Sequence, residues 1–326
     1  MEIIRNLSET ILTTPSVVTI GSFDGVHRGH ARLIETVKQH ARSKHAASVL
    51  ITLHPHPRLV LRPDSNLELL STLDERIELL AQQHLDYVVV FPFSQEQAKL
   101  RAREFLELLQ KHLHMIEIIC GPDFALGYKR EGTVAVMREL GREMNFEVTV
   151  VEPHQFHDGI ISSSRVRSLI AEGHVSPAAQ LLGRYPMLRG VVVHGDHRGR
   201  ELGYPTANLE TPDKKLIPAN GIYAVRVRLG DEWFNGAASI GIRPTFGGDI
   251  RKVEIYILDF ARWIYGEELE IYFVEHLRDE LKFDSIDALL EQMALDVDKT
   301  RVILAKLNSQ EPKVQSASPL APTSER

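Results

Sequence analysis

The spacing of apolar residues changes period once along this chain, and that change constrains the fold more than any other feature. Up to about residue 150, short continuous apolar runs alternate with amphipathic stretches. Val17-Val-Thr-Ile20, Ser48 to Leu53, Tyr87 to Phe91, Ile116 to Cys120 and Val148 to Val151 read as strands. Helical spacing separates them: Leu33, Ile34 and Val37 after the first, a helix opened by the capping box Thr72-Leu-Asp-Glu75, and Thr133 to Met144. Strands that are apolar on both faces and joined by helices predict a parallel sheet covered on both sides. Two short helices follow, one at the Ser162-Ser-Ser run and one with Ser176 as N-cap and Pro177 at its first position. Between Gly183 and Leu188 the period becomes two. Ile222 to Leu229, Val253 to Leu258 and Leu269 to Val274 alternate, with Asn220-Gly221, Gly247-Gly248 and Gly266 as turn signals. That predicts an antiparallel barrel or sandwich. A long helix with Ile286, Leu289, Leu290, Met293 and Val297 on one face closes this part. The expected division is 1–183 for the α/β domain, 184–308 for the β domain and 309–326 as a Ser/Pro/Ala-rich disordered tail.

Composition narrows the function classes. The chain has 326 residues, 38 Lys plus Arg against 44 Asp plus Glu, and a formal charge of −6, which argues against a dedicated nucleic-acid binder. No apolar run approaches the roughly 20 residues that span a bilayer. The first residues, MEIIRNLSETILTT, lack the continuous apolar stretch of a secretory signal. Cys120 is the lone cysteine, so no intrachain disulfide or Cys-based zinc site can form, and a reducing cytoplasm is the expected compartment.

The first concentration of chemistry follows the first strand: Gly21-Ser-Phe-Asp-Gly-Val-His-Arg-Gly-His30. A helix start presents free N–H groups and a positive dipole end, which attract phosphate. Gly21, Gly25 and Gly29 would let the backbone approach a ligand, and His27 and His30 can face it together as hydrogen-bond donors. Read alone, the stretch is also compatible with a turn carrying two exposed histidines. The H-x-G-H arrangement resembles the signature of the nucleotidyltransferase superfamily. Ile161-Ser-Ser-Ser-Arg-Val-Arg167 is similar to that superfamily's I-S-S-T-x-x-R element, with Ser164 in place of Thr. Ser164, Arg165 and Arg167 would then bind the leaving pyrophosphate. His54-Pro-His-Pro57 and Gly121-Pro-Asp-Phe-Ala-Leu-Gly127, just past two further strands, complete a likeness to the FAD synthetase module of bacterial bifunctional riboflavin kinase/FAD synthetases. There the elements read G-N-F-D-G-V-H-x-G-H, P-H-P and G-x-D-F-x-F-G. The likeness implies phosphate contacts at Phe23 and Asp24 and flavin contacts at Pro55, Pro57, Asp123 and Phe124. Ser22 and Leu126 depart from it, Leu126 where an aromatic helps hold flavin.

The second concentration is Gly199-Arg-Glu-Leu-Gly-Tyr-Pro-Thr-Ala-Asn208, which resembles the G-R-x-L-G-F/Y-P-T-A-N motif of riboflavin kinases. Thr206 and Asn208, two residues apart in an extended stretch, point to one side and offer hard oxygen donors suited to Mg²⁺ bridging ATP phosphates. Gly199, Gly203 and Pro205 join them as expected ATP contacts. Pro218 to Ala224, Ser239 to Gly247 and Val253 to Phe260 resemble the family's P-x-x-G-V/I-Y-A, N-I-G-x-x-P-T-F and V-E-x-x-x-L-D-F segments in order. The resemblance makes Glu254 the catalytic base. A carboxylate on one definite strand face can take the proton of an attacking alcohol, and can equally form a cross-strand pair. Arg278 and Phe283 match the flavin-end segment.

The resemblance covers about residues 15–305 and implies a Rossmann-like nucleotidyltransferase domain followed by an antiparallel riboflavin kinase barrel with a long C-terminal helix. It implies riboflavin, FMN and ATP as substrates, with Mg²⁺, and neither nucleic acid nor membrane as partner. Two other readings share the scaffold: a working kinase beside a failing transferase, and a flavin- or nucleotide-sensing regulator. The sensor reading has no sequence feature of its own.

Overall fold

A computed structural model describes residues 1–156, 159–195, 202–245 and 248–308, so Gly199 and the expected tail lie outside the described residues. The chain divides into two compact units. The first is 1–188 together with 211–219, and the second is 189–210 together with 220 onward. The division is therefore not one cut: the stretch Thr211–Ala219 belongs with the N-terminal unit.

The first unit is built on a six-stranded sheet. In chain order its strands are β1 (Glu2–Ile4), β2 (Ser16–Gly21), β3 (Ala47–His54), β4 (Tyr87–Pro92), β5 (Met115–Cys120) and, after β6 (Ala125–Leu126) and β7 (Gly132–Thr133), β8 (Glu147–Val150). They lie in the order β1-β4-β3-β2-β5-β8, every pair parallel. β1 has no counterpart in the expected strands; three residues are too few to show a period. Alternation along each strand splits its apolar residues between two layers. Val18, Ile20, Val49, Ile51, Val89 and Ile118 pack with Phe105, Leu106 and Leu109 of one helix. Val17, Leu50, Val88 and Ile119 pack with Ile34, Val37 and Ala41 of another. Two-sided burial is why these strands read as continuous apolar runs.

The helices are α1 (Arg28–Ser43), α2 (Pro57–Leu61), α3 (Leu73–Ala81), α4 (Ala102–Leu113), α5 (Val134–Met144), α6 (Ser163–Ala171) and α7 (Val175–Leu182). The Thr72–Glu75 capping box opens α3 as predicted. His174, not Ser176, is the N-cap of α7. Pro177 is the third residue of the helix, still in its first turn, where its missing N–H costs nothing because the first amides of a helix have no intrahelical partner. A two-stranded ribbon of β9 (Gln155–Phe156) and β10 (Gly159–Ile160) precedes α6.

The second unit is a closed six-stranded barrel. β11 (Met187–Val193), β12 (Ala207–Glu210), β13 (Gly221–Leu229), β14 (Glu232–Thr245), β15 (Gly248–Ile257) and β16 (Glu268–Arg278) lie in the order β11-β12-β15-β14-β13-β16. Tyr223, Val225 and Val227 of β13, Ile255 of β15 and Ile271 and Phe273 of β16 are buried, while Arg226 and Arg228 alternate outward. The C-terminal helix, Ile286–Asn308, follows. Asp296, Thr300 and Leu304 are its buried positions. Ile286 is 63% exposed, contrary to the predicted stripe. Asp284 to Ala288 is exposed throughout, so the helix begins before its buried face does. No described helix is long and apolar enough to cross a membrane.

Candidate functional sites

In the first unit the predicted residues follow the C-terminal ends of β2, β3 and β5 and open α6. The loop Ser22–Val26 is conformationally costly: Phe23, Gly25 and Val26 all have positive φ, 47°, 77° and 35°. Strain of this kind persists only where surroundings over-determine it. Arg184 donates to the carbonyls of Gly25 and Val26. A Cβ on Gly25 would lie 2.7 Å from the Leu70 side chain, so glycine is needed there for packing as well as for its φ. The Phe23 ring is buried in the core and sits 5.0 Å from the His30 ring.

Asp24 is fully buried and its carboxylate is occupied by protein. It accepts from the Leu70 N–H (3.0 Å), the Ser71 N–H (2.9 Å), Ser71 Oγ (3.1 Å) and Arg167 Nη2 (2.9 Å), with Arg76 4.0 Å away. Burial alone would raise its pKa. The Leu70 amide and the Arg167 and Arg76 charges outweigh burial and hold it below the usual carboxylate range. Its carbonyl oxygen accepts from Ser163 Oγ at 2.9 Å, tying the first motif to α6. Asp24 thus faces Arg167 rather than open space.

His27 caps α1: its Nδ1 accepts from the His30 N–H at 3.3 Å. That leaves Nε2 to carry the proton in the neutral ring. The two imidazoles stack, centroids 3.6 Å apart and 14° from parallel. Burial, reinforced by the Arg184 charge, pushes His27 down to about 4. Burial, then the neighbouring His27, pushes His30 well below its ordinary value. Both are neutral donors near pH 7 in this arrangement. His56 caps α2, accepting from the Arg58 N–H at 3.1 Å, and burial lowers it to about 4. Pro55 is exposed and Pro57 opens α2.

The α6 start is capped by Ser162, whose Oγ accepts from the Arg165 N–H at 3.2 Å; Ser164 is exposed, and Arg165 Nη1 donates to the Phe156 carbonyl. Arg167 keeps a buried Nε without a protein partner. A Cβ on Gly21 would meet the Phe23 ring at 3.2 Å, and one on Gly29 the His27 ring at 3.1 Å. Their small size therefore serves the loop's own packing. Asp123 lies exposed past β5, Phe124 packs against the core, and Leu126 is buried in it. Sequence reading missed Leu70, Ser71, Arg76 and Arg184, all brought in by distant chain.

The second unit holds a cavity of about 560 Å³ lined by Pro205, Thr206, Asn208, Glu254, Arg278 and Phe283 together with Leu202, Tyr204, Tyr256, Tyr265 and residues of the C-terminal helix. Register explains the convergence. Glu254 on β15 stands opposite Asn208 on β12 and opposite Ser239 on β14. Gly195 passes so close that a Cβ would collide with the Asn208 amide. Gly203 has φ 83°, which favours glycine in the turn before Tyr204. Arg278 is held by Asp296 of the C-terminal helix, Nε and Nη2 donating at 2.7–3.1 Å, and Gln292 also donates to Asp296. The guanidinium lies 6.0 Å from the Phe283 ring. Asp296 was missed, although an acid on an apolar helical stripe is the signal that marks it.

Among the described residues no cluster of three or more His, Cys, Asp or Glu could hold a metal alone. Thr206 and Asn208 nevertheless suit Mg²⁺ in a limited way. They are neutral hard oxygens beside one carboxylate, a set that leaves most of the coordination sphere to phosphate and water, as Mg²⁺ prefers.

Comparison with known proteins agrees with both halves. A family profile described as FAD synthetase matches residues 10–165, and one described as riboflavin kinase matches 182–304. A bifunctional riboflavin kinase/FMN adenylyltransferase of Listeria monocytogenes is 38% identical over 89% of this chain and 93% of its own. The Escherichia coli K12 protein of the same description is 36% identical over 86% and 90%. A Streptococcus pneumoniae crystal structure, described as a macrolide-efflux protein, superposes with TM-score 0.85 at 34% identity, covering 92% of this chain and 98% of that one.

Proposed function

Because the chain belongs to the bifunctional riboflavin kinase/FMN adenylyltransferase family, and so converts riboflavin to FMN and FMN to FAD, we propose a division of labour between its two sites. Residues 184–308, apart from the 211–219 stretch, carry the kinase reaction, and residues 1–183 carry adenylyl transfer. ATP is the second substrate of both, and the compartment is the cytoplasm, in keeping with a single buried thiol.

In the kinase cavity Glu254 takes the proton of the riboflavin 5′-hydroxyl as that oxygen attacks the γ-phosphorus of ATP, and the β–γ bridging bond breaks to release ADP. Thr206 and Asn208 would hold Mg²⁺, which neutralises charge on the phosphates. Gly203 and Pro205 shape the chain around them, and Gly199 is proposed as a further ATP contact. Arg278, held by Asp296, and Phe283 form the flavin end. The observation that carries this reading is the register that puts Glu254 beside Asn208 on a shared cavity wall.

In the other site the FMN phosphate attacks the α-phosphorus of ATP. The new phosphorus–oxygen bond forms as the α–β bridging bond breaks, and pyrophosphate leaves without any proton taken from FMN. His27, His30 and the α1 amides donate to the reacting phosphoryl oxygens. Ser164, Arg165 and Arg167 receive the pyrophosphate, and Pro55, Pro57, Asp123 and Phe124 border the flavin. Chromatography of products from riboflavin and Mg-ATP tests the whole: His30→Ala should stop at FMN, and Glu254→Gln should make neither product from riboflavin yet still make FAD from supplied FMN.

A further inference from the structure

The stretch Thr211–Ala219 joins β12 to β13 and lies inside the riboflavin kinase match, yet it packs into the first unit. Lys215 pairs alongside Leu69 as a parallel bridge. The Leu69 N–H donates to the Lys214 carbonyl at 2.6 Å, and the Leu216 N–H to the Leu69 carbonyl at 2.9 Å. Leu216 is buried with Ile161, Val166 and Ile170. Lys215 itself is only 4% exposed, so it touches no substrate directly. Its Nζ donates to the Leu70 carbonyl at 2.9 Å and to Glu75 Oε2 at 2.5 Å.

Both bonds converge on one short segment. The Leu70 and Ser71 amides hold the Asp24 carboxylate, and Asp24 holds Arg167. Glu75 Oε2 also caps α3 by accepting from the Thr72 N–H at 2.9 Å. The next residue on α3, Arg76, is the second cation beside Asp24. We propose that Lys215 is a positioning residue for adenylyl transfer: from within the barrel's stretch of sequence it fixes the Leu70–Glu75 segment, and through Asp24 it sets the guanidinium of Arg167. Burying an ammonium is costly unless it is paired, and here the pair is spent on the one segment that orients the phosphate-binding cation. The inference rests on Arg167 acting in the adenylyl site.

The test is the double variant Lys215→Met/Glu75→Gln, which removes both buried charges together and keeps side-chain size. FAD formation from FMN should fall roughly 10- to 100-fold in kcat, the scale of a misplaced catalytic group. Riboflavin phosphorylation by the same protein should stay within about twofold, since Lys215 lies outside that cavity. In an Arg167→Gln background the same pair of changes should cost little more, because the route through Arg167 is already gone. Unchanged FAD formation in the double variant would overturn the proposal. So would an equal fold-loss with and without Arg167, which marks a purely structural role, or loss of both activities, since the neutral pair should fold. If Arg167→Gln alone leaves FAD formation intact, the reading of the adenylyl site fails first.

Discussion

The two proposed sites differ in how their charges are held. The adenylyl site is assembled around charges already bonded to each other: Asp24 with Arg167, and Glu75 with Lys215, all buried or nearly so. The proposed kinase cavity also holds one bonded pair, Arg278 with Asp296, but its proposed metal donors, Thr206 and Asn208, are neutral. The first is set before substrate arrives, and its electrostatics act without reorganisation. The second leaves charge neutralisation to what the nucleotide brings.

That contrast can be broken or sharpened by experiment. Glu254→Gln should give the largest effect, lowering kinase kcat by roughly 10²–10⁴ with binding and melting temperature nearly unchanged. A loss of a few-fold only, in steady-state kinetics, would move the base elsewhere. His30→Ala should cut FAD formation by roughly 10²–10³ while FMN formation persists; equal loss of both in a folded protein would mean the sites are not separate. Asn208→Ala should weaken FMN formation on the order of tenfold, the scale of disturbing one metal contact. A titration with added Mg²⁺ should recover part of it, and an unaltered Mg²⁺ dependence would remove Asn208 from the metal. The smallest effect is on stability against pH. Folding lowers His27 from its ordinary 6.5 to about 4. Between those values the unfolded chain binds a proton that the folded one refuses, so stability falls as pH drops from about 6.5 towards 4. Thermal melts should show a lower midpoint at pH 5 than at pH 7, and His27→Gln should flatten that slope.

Legibility followed sequence distance. The Thr72–Glu75 capping box, the paired histidines and the period switch near Gly183 could be read because each is written within a few residues. The alternation of β13 also placed Val225 and Val227 inside and Arg226 and Arg228 outside. Lys215 could not be read: Pro212-Asp-Lys-Lys215 has the composition of a solvated turn, and only its contact with Glu75, 140 positions away, makes it a buried cation. Arg184 was hidden for the same reason, its acceptors lying at Gly25 and Val26. Asp24 was legible as part of its motif, but not as the inward-facing holder of Arg167, since spacing says nothing about which side of a loop a carboxylate takes.

The Thr211–Ala219 stretch has a consequence for how the protein is made. A chain emerging from the ribosome supplies the whole parallel sheet, α6 and α7 by Leu188, yet Glu75 then sits without its cation. The N-terminal unit reaches its final arrangement only when Ala219 has emerged, with β11 and β12 already synthesised and unpaired with the rest of the barrel. At about 5–20 residues per second that interval is on the order of seconds. The two units are therefore interleaved along the gene: a break before Thr211 would leave Glu75 without its cation, and one after Ala219 would take β11 and β12 from the barrel.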